Sequence, residues 1–275
     1  MEELVRYLKS QYEGVFDEAQ LHRFMADYVD LAPAKRQVDW VEQIAGGAGR
    51  RWLDIGCGFG SFVLAARMRG FQAVGVDIAP FEIDFARRRL EKECPQDDPN
   101  AVYLLADGSD LPFEEGIFDV ITLWNVLEHV PDAENVLLEA YRVLRPGGCL
   151  FVVCPNYMAF RREAHYQVPW LPLMPQVLAI RYLRLLGKDP RFLSEGIFYR
   201  TNWGLLRTLK RMGMTVHDVR VAKLAKPAAI KNAKLRRIVI TLHRLRLSWA
   251  IRLWFGFTFY NPLRPTIEFY AVKRA

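Results

Sequence analysis

The sequence predicts an α/β fold in which apolar strands alternate with helices, and three stretches predict it. The first is RRWLDIGCGFGS, Arg50 to Ser61, where a strand carrying Trp52, Leu53 and Ile55 runs straight into a glycine turn. Gly56, Gly58 and Gly60 allow a tight turn and a close backbone approach, and Phe62 to Met68 reads as the helix that follows. The second is the pair FQAVGVDIAP and VYLLADGSDLPF, two further strands that end at Asp77 and near Asp107. The third is FDVITLWNVLEHV followed by AYRVLRPGGCLFVVCPN: a fourth strand, a helix, a Pro-Gly-Gly turn and a fifth strand. A strand, a glycine turn and a helix N-terminus together make a nucleotide-sized crevice. Asp54, two residues before the first glycine, narrows its ligand. A carboxylate there repels a pyrophosphate and attracts an ammonium or a water-bridged amino-acid group. A dinucleotide fold is further disfavoured because its fingerprint needs a glycine where Ser61 stands.

The 275 residues suffice for one α/β domain with insertions and a sizeable core. The N-terminus, MEELVRYLKS, is charged and shows no secretory h-region, and Cys57, Cys94, Cys149 and Cys154 lack metal-ligand spacing. Reduced thiols in a cytoplasm are the simplest account. The net charge of +7 is unevenly placed. Between Asp218 and Glu268 there is no acid and there are eleven Lys or Arg residues, so the remainder of the chain carries −4.

The ordered stretches, over roughly residues 34 to 156, resemble the motifs of class I S-adenosylmethionine (SAM) methyltransferases. The resemblance implies a Rossmann-like three-layer sandwich: a seven-stranded, mostly parallel sheet ending in an antiparallel C-terminal hairpin. It implies SAM as the cofactor, with Gly56, Gly58, Gly60 and Asp54 as its first motif. Asp77 would accept from both ribose hydroxyls, a task that suits a carboxylate because it only accepts. Asp107 would accept from the adenine amino group, and the Gly108 backbone would meet a ring nitrogen. Ile78 and Asn125 complete the implied cofactor set. Residues 1–33 are expected to form a helical lid and residues 34–275 the SAM-binding domain.

NVLEHVPD, Asn125 to Asp132, is similar to the corresponding stretch of the ubiquinone-biosynthesis O-methyltransferases. Those enzymes also have an LxPxR-like segment before the glycine turn whose arginine meets the SAM carboxylate; LAPAKR puts Arg36 at the matching place. They present an acid where this chain has Asn125, and that acid joins the Glu-His pair in binding a divalent cation. Asn125 is a weaker, neutral ligand, so no metal is expected. His129 is the expected catalytic base, since it follows the fourth strand and an imidazole titrates near neutrality.

Two insertions carry the expected acceptor chemistry. In residues 157–199, Trp170, Leu171, Leu173, Met174, Leu178 and Leu183 line an apolar acceptor pocket or pack a small helical subdomain. Glu163, His165 and Tyr166 form the compact polar cluster and are the candidate substrate contacts. Pro169, Pro172 and Pro175 mark a bent entry rather than a long helix. Residues 222–264 interrupt the final hairpin, between MTVHDVRV and TIEFYAV. As a helix they place Lys234, Arg237, Thr241, Arg244 and Ser248 on one face and Ile238, Leu242, Leu245, Trp249 and Leu253 on its neighbour. An acid-free basic helix with aromatic bulk reads as a membrane-surface element or, equally, as a cover for the domain's own core. No apolar run is long enough to span a bilayer.

The leading expectation is therefore O-methylation of a lipid-linked or quinone-like acceptor at an anionic membrane surface. The protein would be cytoplasmic, peripheral on the inner membrane face. The alternatives are a soluble methyltransferase of a sugar, glycan or small metabolite, and a SAM-binding protein without turnover. No nucleic-acid partner is expected, because no recognition motif accompanies the bases.

Overall fold

The computed structural model describes residues 2–219, 233–247, 249, 253 and 264–274. The N-terminal residues form α1 (Glu2–Gln11) and α2 (Glu18–Phe24). Asp17 starts α2 by a reciprocal cap: its carboxylate accepts from the Gln20 backbone N–H, and the Gln20 side chain accepts from the Asp17 N–H. After a single π-turn, α3 (Leu31–Ala45) leads to β1 (Arg51–Ile55).

The alternation expected from the sequence follows. It runs α4 (Ser61–Arg67), β2 (Gln72–Asp77), α5 (Pro80–Glu93), α6 (Pro99–Val102), β3 (Tyr103–Leu105), β4 (Phe118–Trp124), α7 (Ala133–Val143) and β5 (Leu144–Pro155). The insertion contributes a two-residue hairpin, β6 (Arg161–Arg162) with β7 (Pro169–Trp170), then α8 (Gln176–Leu185) and α9 (Arg191–Gly196). The chain returns through α10 (Asn202–Arg211) and β8 (Thr215–Asp218), passes α11 (Ala233–Arg244), and ends in β9 (Thr266–Val272).

Seven strands form one sheet in the order β3-β2-β1-β4-β5-β9-β8. The first five are parallel, while β9 runs antiparallel to both β5 and β8. The Rossmann-like sandwich with its closing antiparallel pair is therefore the observed architecture. Strand periodicity sends Trp52 to one face and Leu53 and Ile55 to the other. On the Trp52 face, Val38, Leu64, Ile83 and Leu90 pack from α3, α4 and α5. On the other, Val136, Leu137, Leu205 and Leu209 pack from α7 and α10. One local expectation changes: Pro146, Gly147 and Gly148 form no free turn but a bulge inside β5. Phe118 pairs with Leu144 and Val120 with Cys149, so the extra residues loop out where Gly147 takes a φ of 74°.

The insertion has its own core. Tyr157, Tyr166, Trp170, Met174, Ala179, Leu183, Leu193 and Ile197 are buried together with Val15 from the N-terminal segment. Pro175 caps α8, so the proline-rich entry ends where the helix begins. Of the basic segment 222–264, residues 222–232, 248, 250–252 and 254–263 lie outside the described residues. The described α11 buries Val239, yet leaves Ile238 53% and Leu245 61% exposed. Arg264 lies within reach of Asp218 (3.7 Å) and Glu268 (3.3 Å), so this member of the basic set is neutralised inside the hairpin.

Candidate active site

The C-terminal ends of β1, β2 and β4, covered by the N-terminal helices, enclose a cavity of about 560 Å³. That is a size and place typical of ligand sites in open α/β sheets. The glycine turn forms its floor. Gly56 and Gly58 have φ of 71° and 50°, a region open to glycine at little cost. A Cβ on Gly56 would also overlap the Val126 side chain. Gly60 lies just behind the wall, starting α4 with its carbonyl held by the Tyr103 hydroxyl at 2.8 Å.

Asp77 ends β2 beside this turn. Its Oδ2 accepts from the Gly58 N–H at 2.8 Å and its Oδ1 from the Ala79 N–H at 2.9 Å. Burial raises its pKa against the pull of these backbone donors. Ile78 lines the cavity next to it, 70% exposed. Asp107 and Gly108 form the adjacent wall. Ser109 donates to Asp107 Oδ1 from both its backbone and its hydroxyl, each at 2.8 Å, leaving Oδ2 free. Asn125 takes a left-handed φ of 53°, which asparagine tolerates, and its amide donates to the Tyr28 hydroxyl at 2.9 Å. The sequence thus places Gly56, Gly58, Asp77, Ile78, Asp107, Gly108 and Asn125 in one cavity wall.

Besides Gly60, two implied cofactor residues lie outside the cavity wall. Asp54 is buried under the glycine turn rather than in the cavity wall. The Trp52 indole donates to Thr122 Oγ1 (2.8 Å), and the Thr122 hydroxyl donates to Asp54 Oδ1 (2.5 Å). Burial pushes Asp54 up to about 8, opposed by the Thr122 bond and reinforced by Asp77, and its Oδ2 has no partner. The expected permanent carboxylate is therefore largely protonated at neutral pH while no cation lies near it. Arg36 is exposed on α3 and does not line the cavity; the α-helical path of residues 31–45 carries it onto the outer surface.

Beyond the ends of β4 and β5 the cavity is walled by Glu128, His129, Val130, Pro131, Pro155, Ala164 and His165. The His129 Nδ1 meets the Gly196 carbonyl at 2.8 Å, which makes Nδ1 the protonated nitrogen and leaves Nε2 bare. His129 is exposed to the cavity. Desolvation by the protein around it, then the His165 ring, lower its pKa to about 4, so it is neutral at pH 7. The two imidazoles meet edge to face, with centroids 5.1 Å apart. Arg200 holds the segment that carries His129 by donating to the carbonyls of Leu127, Val130 and Pro131.

The candidate acceptor residues divide. His165 lines the cavity; Glu163 and Tyr166 do not. Glu163 is completely buried and accepts from the Tyr157 hydroxyl, the His165 and Tyr166 backbone N–H groups and the His165 ring. Tyr166 donates to the Asp189 carbonyl and accepts from the Leu193 N–H. Both serve the insertion's interior because its short hairpin turns them inward. Trp170, Met174 and Leu183 are likewise core, and Leu171, Leu173 and Leu178 face solvent; none lines the cavity.

Residues not singled out in the sequence complete the site. Tyr7, Tyr12, Phe16, Phe24 and Tyr28 reach the cavity from the N-terminal helices. The four-residue spacing of Tyr12/Phe16 and Phe24/Tyr28, both stacked pairs, is the signal that could have found them. Trp124 lines the cavity with a buried indole N–H that has no partner, and Glu128 presents a buried, unpartnered Oε2. Burial raises Glu128 to about 8. Orphaned polar atoms around a glycine cradle are what a polar ligand would satisfy, so the residues fit SAM. They do not fit a divalent cation. Among the described residues no three His, Cys, Asp or Glu side chains are grouped to hold one, and the amide of Asn125 is a poor ligand for a hard ion.

A mostly parallel sheet whose glycine turn after β1 and acids after β2 and β3 share one cavity is the arrangement expected of a SAM-binding α/β enzyme. Comparison with known proteins agrees. Residues 53–152 match the family described as Methyltransferase domain. A ubiquinone biosynthesis O-methyltransferase of Chromobacterium violaceum is 35% identical over 186 residues, covering 64% of this chain and 74% of that protein. One from Pseudomonas aeruginosa is 33% identical over 127 residues, 46% of this chain; there the chain spans about half (53%) of the relative's length. The crystal structure of the YcgJ protein from Bacillus subtilis shares the fold, with a TM-score of 0.53 at 20% identity, over 88% of this chain and 98% of that one. The chain belongs to the family of SAM-dependent methyltransferases.

Proposed function

We propose that the protein transfers a methyl group from SAM to an oxygen of a lipid-linked or quinone-like acceptor at a membrane surface. The observation that carries this reading is a single cavity that joins the SAM cradle to two imidazoles, His129 and His165. SAM, when bound, supplies a methyl group already activated on a sulfonium. What the chain must add is in-line positioning, which contributes roughly 7–11 kcal/mol, and a destination for the acceptor's proton. Asp77, Asp107 and the Gly58 and Gly108 backbone hold the nucleoside. Asn125, Trp124 and the N-terminal aromatics close the cavity and exclude water. His129, neutral with Nε2 bare, accepts a hydrogen bond from the acceptor hydroxyl and orients its lone pair.

The lipid-linked class is supported by the role of the relatives, ubiquinone biosynthesis, and by the surface. No helix among the described residues is long and apolar enough to cross a membrane. Instead, α11 leaves Ile238 and Leu245 uncovered beside exposed Arg237 and Arg244. Val177, Leu178 and Leu185 stand open on α8, in a stretch from Ala164 to Lys188 that holds no acid. Exposed apolar rows with basic neighbours suit the interface of an anionic bilayer, and the protein would sit peripherally on the inner membrane face.

The test is to incubate the purified protein and methyl-labelled SAM with a whole-cell extract and to partition the products. Label in the organic phase, with S-adenosylhomocysteine formed, is expected. Label confined to the aqueous phase replaces the lipidic acceptor with a sugar or small metabolite. Absence of S-adenosylhomocysteine would leave a binding protein.

A further inference from the structure

His129 orients a hydroxyl but is badly placed to keep its proton. Its Nδ1 faces a backbone carbonyl, which carries no charge to match an imidazolium, and no carboxylate is bonded to its ring. His165, across from it, differs in that one respect. Its Nδ1 lies 3.2 Å from Glu163 Oε1, and its Nε2 has no partner among the described residues.

Glu163 is an unusual thing to bury. It has no exposed surface and sits among Tyr157, Tyr166 and Trp170, where an unpaired carboxylate would be protonated. Burial does pull it upward. The His165 ring, the Tyr166 N–H and the Tyr157 hydroxyl outweigh that pull and hold it at about 2, so it is ionised. Its two oxygens do separate work. Oε2 accepts the backbone N–H groups of His165 and Tyr166, both at 2.7 Å, which fixes the turn. Oε1 accepts the Tyr157 hydroxyl at 2.8 Å and the His165 ring. A carboxylate needed only to cap the turn would require Oε2 alone. The second oxygen, held in place by Tyr157, makes a fixed negative charge behind an imidazole whose other nitrogen is free. That is the arrangement by which a buried acid fixes a base's tautomer and stabilises its cation.

We propose that His165, oriented by the Glu163 carboxylate, is the catalytic base that receives the acceptor's hydroxyl proton, with Glu163 as its positioning residue. This rests on the methyl-transfer reading above and replaces His129 as the base. A lone pair of the acceptor oxygen forms the O–CH₃ bond as the S–CH₃ bond breaks, and that bond's electrons remain on sulfur. The O–H proton passes to His165 Nε2, while Nδ1–H stays on Glu163; solvent later takes the proton. His129 remains neutral and orients the hydroxyl. The titratable groups facing the His165 ring are Glu163 from its own turn and His129 from the segment after β4. Phe192 of α9 covers another side, and the Gln20 amide of α2 meets only the backbone carbonyl. Glu128 lines the same cavity.

The test uses the full chain, with a prenylated hydroquinone in detergent as the acceptor probe. His165→Asn should lower kcat by about 10²–10⁴-fold, with SAM affinity by calorimetry unchanged. Glu163→Gln keeps the shape and removes the charge. It should lower kcat by about tenfold or more with acceptor KM little moved, and shift the acid limb of the kcat–pH profile to lower pH. A capping role alone would not move that limb. His165→Asn with kcat within about threefold of wild type, or a Glu163→Gln limb that stays in place, overturns the proposal. Nitrogen-15 NMR of histidine-labelled wild-type protein gives a second readout that needs neither a variant nor turnover. A bare Nε2 and protonated Nδ1 on His165 support the proposal, and the opposite tautomer overturns it. If wild type fails to methylate the hydroquinone while the tautomer is as expected, it is the choice of acceptor that falls.

Discussion

The cavity has two ends, and they are made of different things. At the glycine-turn end the wall is largely backbone, and each contact comes from the end of a strand: Gly56 and Gly58 after β1, Asp77 and Ile78 at β2, Asp107 and Gly108 after β3. At the other end the wall is side chain. There His129 comes from the segment after β4, His165 from an insertion with its own core, and the Gly196 carbonyl that fixes His129 from the far end of that insertion. Backbone geometry at strand ends is set by the fold, whereas the pairing of His129 with His165 depends on how the insertion packs. One end can therefore stay constant while the other changes acceptor.

The largest effect should come from breaking the constant end. Asp77→Ala removes a carboxylate that braces the Gly58 N–H and lines the cavity where the proposed ribose would sit. Hydrogen bonds to charged groups contribute about 1.5–3 kcal/mol each, so losing two should weaken SAM binding by roughly 10²-fold or more. Calorimetric titration with SAM checks this; an affinity within a few-fold of wild type would remove Asp77 from the ribose site. At the variable end, His129→Asn should lower kcat by about tenfold and leave SAM affinity alone, since the residue only orients the hydroxyl. Steady-state kinetics with the hydroquinone probe separates the two ends directly. A His129→Asn change in SAM affinity comparable with Asp77→Ala would mean that the ends are not independent.

The same contrast explains what was legible in the sequence. Five strand-to-loop transitions are local patterns, so the alternation of strands and helices, and the residues at the strand ends that line the cavity, could be read from apolar runs and the residues that stop them. Asp54 was misjudged because its side chain points with Trp52 into the interior, and only the fold places Thr122 of β4 beside it. Arg36 failed for a helical reason: the turn of α3 that carries it faces outward. Glu163, His165 and Tyr166 were found as a cluster. Which of them meets the cavity depends on a two-residue hairpin that no periodicity reveals. The aromatic wall from Tyr7 to Tyr28 was hidden for the opposite reason, since regular i, i+4 aromatics also describe an ordinary packing face.

A smaller effect concerns the surface rather than the cavity. Replacing Arg237 and Arg244 by Ser should weaken binding to vesicles containing anionic phosphatidylglycerol by roughly thirtyfold, at about 1 kcal/mol per charge near the surface, and added salt should erase the difference. Activity toward the prenylated hydroquinone in detergent should not change, because neither arginine lines the cavity. Vesicle cosedimentation that is the same for both proteins would leave α11 as a cover for the domain.

The subtlest prediction follows from the acids buried at the constant end. Asp54 is raised by burial from 3.8 to about 8, and Glu82, beside Asp77, from 4.5 to about 7. A group raised in the folded state binds its proton more tightly there than in the unfolded chain. Its contribution to stability is therefore whole below the unfolded value and is lost as pH rises through the folded one. Without SAM, the melting temperature should fall between pH 5 and pH 8.5, and Asp54→Asn, which stays neutral, should fall less steeply over that window. Thermal melts at closely spaced pH values resolve both slopes. Equal slopes for wild type and Asp54→Asn would show that Asp54 is ionised in the folded protein even without ligand, and the two ends of the cavity would then differ less in charge than their burial implies.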